Sequence, residues 1–108
     1  MRVLLFLALL SWAWADPPPY RSSIQSRPID DDFEEEQRLS RLAKITLMQA
    51  GQAALKLHPA ATISEVELEN HEGNVVFEVE LWLDGQKRVV IVDAGNGEVL
   101  QDRLSSPP

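Results

Sequence analysis

The stretch Val75-Val76-Phe77-Glu78-Val79-Glu80-Leu81-Trp82-Leu83-Asp84-Gly85-Gln86-Lys87-Arg88-Val89-Val90-Ile91-Val92-Asp93 decides the fold. Val75, Phe77, Val79, Leu81 and Leu83 fall at every second position, with Glu78, Glu80 and Trp82 between them. That is the period of a strand, whose successive side chains point to opposite faces. Asp84-Gly85 follows, a pair suited to the positive φ angles of a two-residue hairpin turn. A second strand, from Lys87 to Asp93, then returns antiparallel. Counting outward from the turn puts Leu83 opposite Gln86, Trp82 opposite Lys87, Val79 opposite Val90 and Phe77 opposite Val92.

Upstream, Val66 and Leu68 alternate with Glu65, Glu67 and Glu69, and His71-Glu72-Gly73-Asn74 reads as a turn. Placing Val66 opposite Val79 and Leu68 opposite Phe77 completes one apolar face, and burial of that face is what fixes register. The same register sets Glu65 against Glu80 and Glu67 against Glu78 on the reverse face. Like charges directly across a ladder destabilise it. Ile63, Val76, Trp82, Val89 and Ile91 are expected to share this reverse face, making it both acidic and apolar. Trp82 opposite Lys87 offers a cation-over-ring stack. Downstream, Asn96-Gly97 marks another tight turn, and Val99-Leu100 supplies a short edge strand.

The element before the strands is helical. Thr46 and Gln49 have the spacing of a capping box, and Leu47, Ala50, Ala54 and Leu57 define one apolar face. Gly51 lies at the edge of that face. With Ala50, Ala53 and Ala54 beside it, close approach to a sheet is the compensation for a helical glycine. Pro59 ends the helix by biasing His58 out of helical geometry. The predicted fold class is therefore α+β: a three- to four-stranded antiparallel sheet with one helix across one face.

Asp30 to Lys44 predicts a helical arm before this unit. Its aspartates sit at the start and Arg38, Arg41 and Lys44 near the end, an order that suits the helix dipole. Leu39, Leu42 and Ala43 give it only a thin apolar stripe, so it should dock loosely.

The flanks read differently. Arg2, the apolar run Val3 to Leu10 and Ala13-Trp14-Ala15 have the layout of an export signal cleaved near Ala15. The run is too short to span a bilayer, so no membrane anchor is expected after cleavage. Residues 16–29, with Pro17-Pro18-Pro19 and Ser22-Ser23, read as a flexible linker. The organisation expected is a signal peptide over 1–15, linker 16–29, arm 30–44, main domain 45–102 and a disordered tail 103–108.

Export implies a periplasmic or secreted, oxidising location, yet the chain has no cysteine to staple it. A domain of about 60 residues is marginal without staples, so a partner or a homodimer would be a natural way to bury more surface. The net charge of −7 repels phosphate backbones, which argues against nucleic acid. No nucleophile stands beside a base, His58 and His71 have no metal-type spacing, and no phosphate loop is present. The reading is therefore of a non-enzyme with no catalytic residues, cofactor or dedicated metal ligands.

The main unit resembles the PepSY domain family. The resemblance is carried by the helix with Thr46, Ala50 and Ala54, by His58-Pro59-Ala60, by Val66-Glu67-Leu68 and Phe77-Glu78-Val79-Glu80, and most specifically by Val92-Asp93-Ala94 followed by Gly97-Glu98-Val99. It spans about Ile45 to Asp102. Ala60 stands where many members have Gly, and Gly95 where a polar residue is common. The resemblance implies an antiparallel sheet under a helix. It also implies a non-enzymatic role, as in metallopeptidase propeptides and small stand-alone exported bacterial proteins. No catalytic or binding residue carries over, and Asp93 is accounted for by an Asx-type cap on the following turn.

The function expected is an exported interaction or regulatory module. It would restrain a peptidase or modulate a membrane sensor through its outer sheet face, at Glu65, Glu67, Glu78, Glu80, Trp82, Val89 and Ile91. The alternative is a divalent-cation buffer or sensor, although a flat acidic face is poorly shaped to supply the six to eight oxygens that calcium takes.

Overall fold

Two tight turns set the register of the sheet. In the computed structural model, which describes residues 18–105, Glu72 and Gly73 have φ of 51° and 95°, and Asp84 and Gly85 have 53° and 75°. Both pairs therefore form mirror-image turns whose twist matches that of the flanking strands. They join β1 (Thr62–His71), β2 (Asn74–Leu83) and β3 (Gln86–Asp93). The loop containing Gly97 leads to β4 (Val99–Leu104). The sheet is antiparallel, in the order β1-β2-β3-β4. The signal peptide expected over residues 1–15 and the end of the expected tail lie outside the described residues.

Every strand pairing counted from the turns is present. Val66 faces Val79, Leu68 faces Phe77, Glu65 faces Glu80 and Glu67 faces Glu78; Val79 faces Val90 and Phe77 faces Val92. One assignment of face is corrected. The register shifts between Ile63 and Glu65, so Ser64 is an extra residue in β1. A bulge of this kind exchanges the faces of all residues beyond it. Ile63 consequently faces Leu81 and packs on the core under the helix, instead of joining the outer face.

Among the described residues two helices precede the sheet, α1 (Asp32–Leu42) and α2 (Leu47–Leu57). The Asp31 carboxylate caps α1 by accepting from the Glu34 N–H. Thr46 and Gln49 form a reciprocal capping box on α2, at 3.1 and 2.9 Å. Between the helices Ala43 is extended, and the N–H groups of Lys44 and Ile45 both donate to the Ala94 carbonyl. The break is thus tied to the end of β3. α2 lays Ala50, Gly51 and Ala54 on the sheet, and the core beneath holds Val75, Phe77, Val79, Leu81, Val90 and Val92. Small residues on the helix are what let it approach this closely: a Cβ on Gly51 would lie 3.0 Å from Ile63 Cδ1. α1 buries only Leu39. No helix among the described residues is long and apolar enough to cross a membrane.

The segment before α1 differs from the linker expected there. Residues 20–26 form a strap that continues the lane of β3 beside the start of β2. Val75 N–H donates to the Ile24 carbonyl, Ser26 N–H to the Gly73 carbonyl, and Gln25 bridges Asn74. β3 turns away at Ala94, and the strap supplies partners for backbone groups that β2 would otherwise leave unpaired. Ile24 joins the main core and Tyr20 packs on the opposite face of the sheet. Nothing in the apolar periodicity signalled this, because polar Ser and Asn side chains and backbone bonds hold most of the strap.

Candidate functional site

The face of the sheet turned away from α2 is built by alternation. From β1 it receives Glu65, Glu67, Glu69 and His71, from β2 Val76, Glu78, Glu80 and Trp82, and from β3 Lys87, Val89 and Ile91. The seven residues expected at the site do share this face, but not one environment. Val89 and Ile91 are buried, with Val76, beneath Tyr20 and Leu100. They face Arg103 and Gln101 of β4. They are therefore internal support and offer no contact surface, which corrects the expectation for these two. What stays open is the β1–β2 side, with its carboxylates and with Trp82 at 48% exposure.

The carboxylates perturb one another. Glu65 is pushed up to about 7, first by a hydrogen bond shared with Glu67 and then by one with Glu80. Glu67 is also raised, first through its contact with Glu69. Glu80 moves the other way because it accepts from Lys87, whose ammonium lies 2.9 Å from its carboxylate. Lys87 is correspondingly raised by Glu80. The stack of Lys87 on Trp82 anticipated from their opposition is therefore replaced by an ion pair with Glu80. A full charge in contact outcompetes a ring quadrupole. The arrangement can hold a shared proton at Glu65 and present net negative charge. Among the described residues no group of three or more His, Asp or Glu is placed to hold a metal ion.

Two clusters at the ends of the sheet were not legible beforehand. At the turn between β1 and β2, the Tyr20 hydroxyl lies 2.6 Å from His71 Nδ1, and His71 Nε2 lies 3.2 Å from Glu78. With its proton on Nε2 the ring donates to Glu78 and accepts from Tyr20. Burial, followed by the charge of Glu78, raises the Tyr20 hydroxyl. At the end of α2, His58 Nε2 meets Asp102 at 2.8 Å, and Asp102 also takes Arg88 at 3.0 Å. His58 thus ties the helix end to β4. Tyr20 lies in a segment without periodicity, so no signal pointed to it. Asp102 and Arg88 become visible only once β3 and β4 are registered.

Asp93 does more than cap its own turn. Its carboxylate accepts from the N–H groups of Gly95 and Asn96, and also from Ser22 Oγ, Ser23 N–H and Ser23 Oγ. Gly95 lies directly under the strap, where an added Cβ would overlap Ser23 Oγ and sit 2.9 Å from Ile24 Cγ1. The glycine at this point is explained by the strap.

Comparison with curated proteins and with solved structures returned no match. The family model for the peptidase propeptide and YPEB domain, PepSY, matches residues 44–103, more than half of the chain, and the protein belongs to that family.

Proposed function

We propose that the protein is a non-catalytic exported module that docks another protein through the open part of its outer sheet face, restraining a peptidase or modulating the sensor domain of a membrane signalling protein. Domains of this family are propeptide- and inhibitor-like, generally non-catalytic and typically extracellular or periplasmic. The observation that carries the reading is the juxtaposition of Glu65, Glu67 and Glu78 with exposed Trp82 on one face. Lys87 is already committed to Glu80 there. A partner with basic groups around an apolar socket would relieve the crowded carboxylates and cover the indole. Val89 and Ile91 flank this open part on the same face, where Tyr20 and Leu100 cover them.

The test is a capture experiment with Glu67→Lys and with Trp82→Ala, both of which leave the Glu80–Lys87 pair intact. The original chain, immobilised against periplasmic extract, should retain a partner that both variants lose, and a photoreactive group at Trp82 should crosslink to it. Equal recovery by all three proteins would remove this face from the function. The cation reading is tested alongside by titrating calcium in a calorimeter, where heat at micromolar concentration would favour it over protein docking.

A further inference from the structure

Among the described residues β1 is an edge strand: it pairs with β2 and has no strand on its other side. A groove of about 870 Å³ runs along it, walled by α1 and the start of α2. Its floor is apolar, with Leu39, Val66, Leu68 and Phe77. Phe77 and Leu39 are buried, but Val66 and Leu68 are only half-buried, so the inner face of β1 is incompletely covered. The outward-facing Glu67 and Glu69 line the same groove, which therefore wraps around the free edge of the strand. Asp32 and Glu36 of α1 add to the rim. Among the described residues none of these four carboxylates has a cation within ion-pair distance. Lys44 is the lone cation in the lining.

We propose that this groove seats an extended segment of another protein, added beside β1, in which apolar side chains alternate with lysine or arginine. The alternation is dictated by β1 itself. A strand added to a sheet edge shares the faces of its neighbour. Its residues beside Val66 and Leu68 must point into the apolar floor, and those beside Glu67 and Glu69 must point at carboxylates. Charge complementarity then selects basic residues at the second set. A bare edge is ordinarily a liability, and charge along it is one way of excluding other strands. Here the same acids exclude acidic or neutral strands and admit a cationic one. This groove shares Glu67 with the Trp82 face but takes its other contacts from α1, Val66, Leu68 and Glu69, so variants at Glu36 and Glu69 on one side and at Trp82 on the other tell the two surfaces apart.

The experiment titrates the isotope-labelled full chain with a short capped peptide alternating Val and Lys, and with its Val–Glu counterpart. Amide shifts read by NMR should fall on residues 66–70 and around Leu39 with the Val–Lys peptide alone, and the affinity should drop with added salt. The surface double variant Glu36→Lys/Glu69→Lys should bind it about tenfold more weakly, as loss of two rim ion pairs would. Trp82→Ala should bind it unchanged. Equal binding of the Val–Glu peptide, or no binding of either, would overturn the proposal. So would shifts confined to Glu78 and Trp82, or a sedimenting dimer in which a second copy already masks β1.

Discussion

Ser23 gives both its backbone N–H and its hydroxyl to the Asp93 carboxylate, at 2.7 and 2.8 Å, across 70 residues of chain. The contact joins the strap to the loop that ends β3. Asp93 is buried and its oxygens also serve Gly95 and Asn96. Asp93→Ala would leave these donors without their acceptor, and each unsatisfied buried donor costs roughly 1–3 kcal/mol. Partial rescue by water at the loop limits the total to about 2–4 kcal/mol. Urea unfolding should show that loss as a lower midpoint with little change in slope. Ser23→Ala removes only the hydroxyl and should cost about 1 kcal/mol.

Gly95→Ala tests the strap from the other side. The new methyl group would overlap Ser23 Oγ and crowd Ile24 Cγ1, so the strap must lift. Overpacking of this kind costs about 1–3 kcal/mol. The distinguishing readout is hydrogen exchange. The Val75 and Ser26 amides, which bond to and from the strap, should lose protection, while amides in the centre of β2 and β3 keep theirs.

Two carboxylates impose opposite pH dependences. Glu65 is raised from about 4.5 to about 7 in the folded chain, chiefly by the hydrogen bond shared with Glu67 and next by Glu80. The folded state therefore holds a proton that the unfolded chain releases near pH 4.5. Its contribution is full below that pH and is lost as pH rises to about 7. Asp93 is held below the ordinary aspartate range: burial alone would raise it, but the donors from Ser23, Gly95 and Asn96 more than offset that. Its contribution is present above the ordinary range and disappears as pH falls through the depressed value. Chemical unfolding across this span should show stability declining from mildly acid pH towards 7, with a separate loss at strongly acid pH. Glu65→Gln, which donates a hydrogen bond at every pH, should shrink the first limb to the part that Glu67 contributes through Glu69, and leave the second. A decline undiminished in Glu65→Gln would place its origin in other groups.

The parts of the fold legible in advance were those governed by counting. Two residues in a hairpin turn fix Val79 against Val90 and Phe77 against Val92, and alternation does the rest. Thr46 and Gln49 announced the start of α2 by local chemistry. What could not be counted was missed. The extra Ser64 in β1 shows in the sequence only as a step of three from Ile63 to Val66 where a regular strand has two, and it moves Ile63 to the other face. The strap has few apolar residues and is held mainly by Ser22, Ser23 and Asn74 with backbone groups. Its docking depends on partners about 50 to 70 residues away. At the candidate site, the carboxylates of Glu65, Glu67, Glu78 and Glu80 were placed correctly. Burial of Val89 and Ile91 was not foreseen, because it depends on Tyr20 and Leu100.

Gly51 and Ile63 are coupled, and that coupling gives a test of how closely α2 approaches the sheet. Alanine in place of a mid-helix glycine gains about 1 kcal/mol from backbone entropy alone. At Gly51 the added Cβ would stand 3.0 Å from Ile63 Cδ1, tighter than an ordinary contact, although the half-buried Ile63 tip can shift. The two effects oppose each other at similar size, so Gly51→Ala should lie within about 0.5 kcal/mol of the original chain. Ile63→Val deletes the offending Cδ1 and by itself should cost about 0.5–1.5 kcal/mol. In that background Gly51→Ala should recover its full helical gain of about 1 kcal/mol. The double-mutant cycle therefore has a favourable coupling energy. Strict additivity would mean that the helix rides higher above β1 than the 3.0 Å separation indicates.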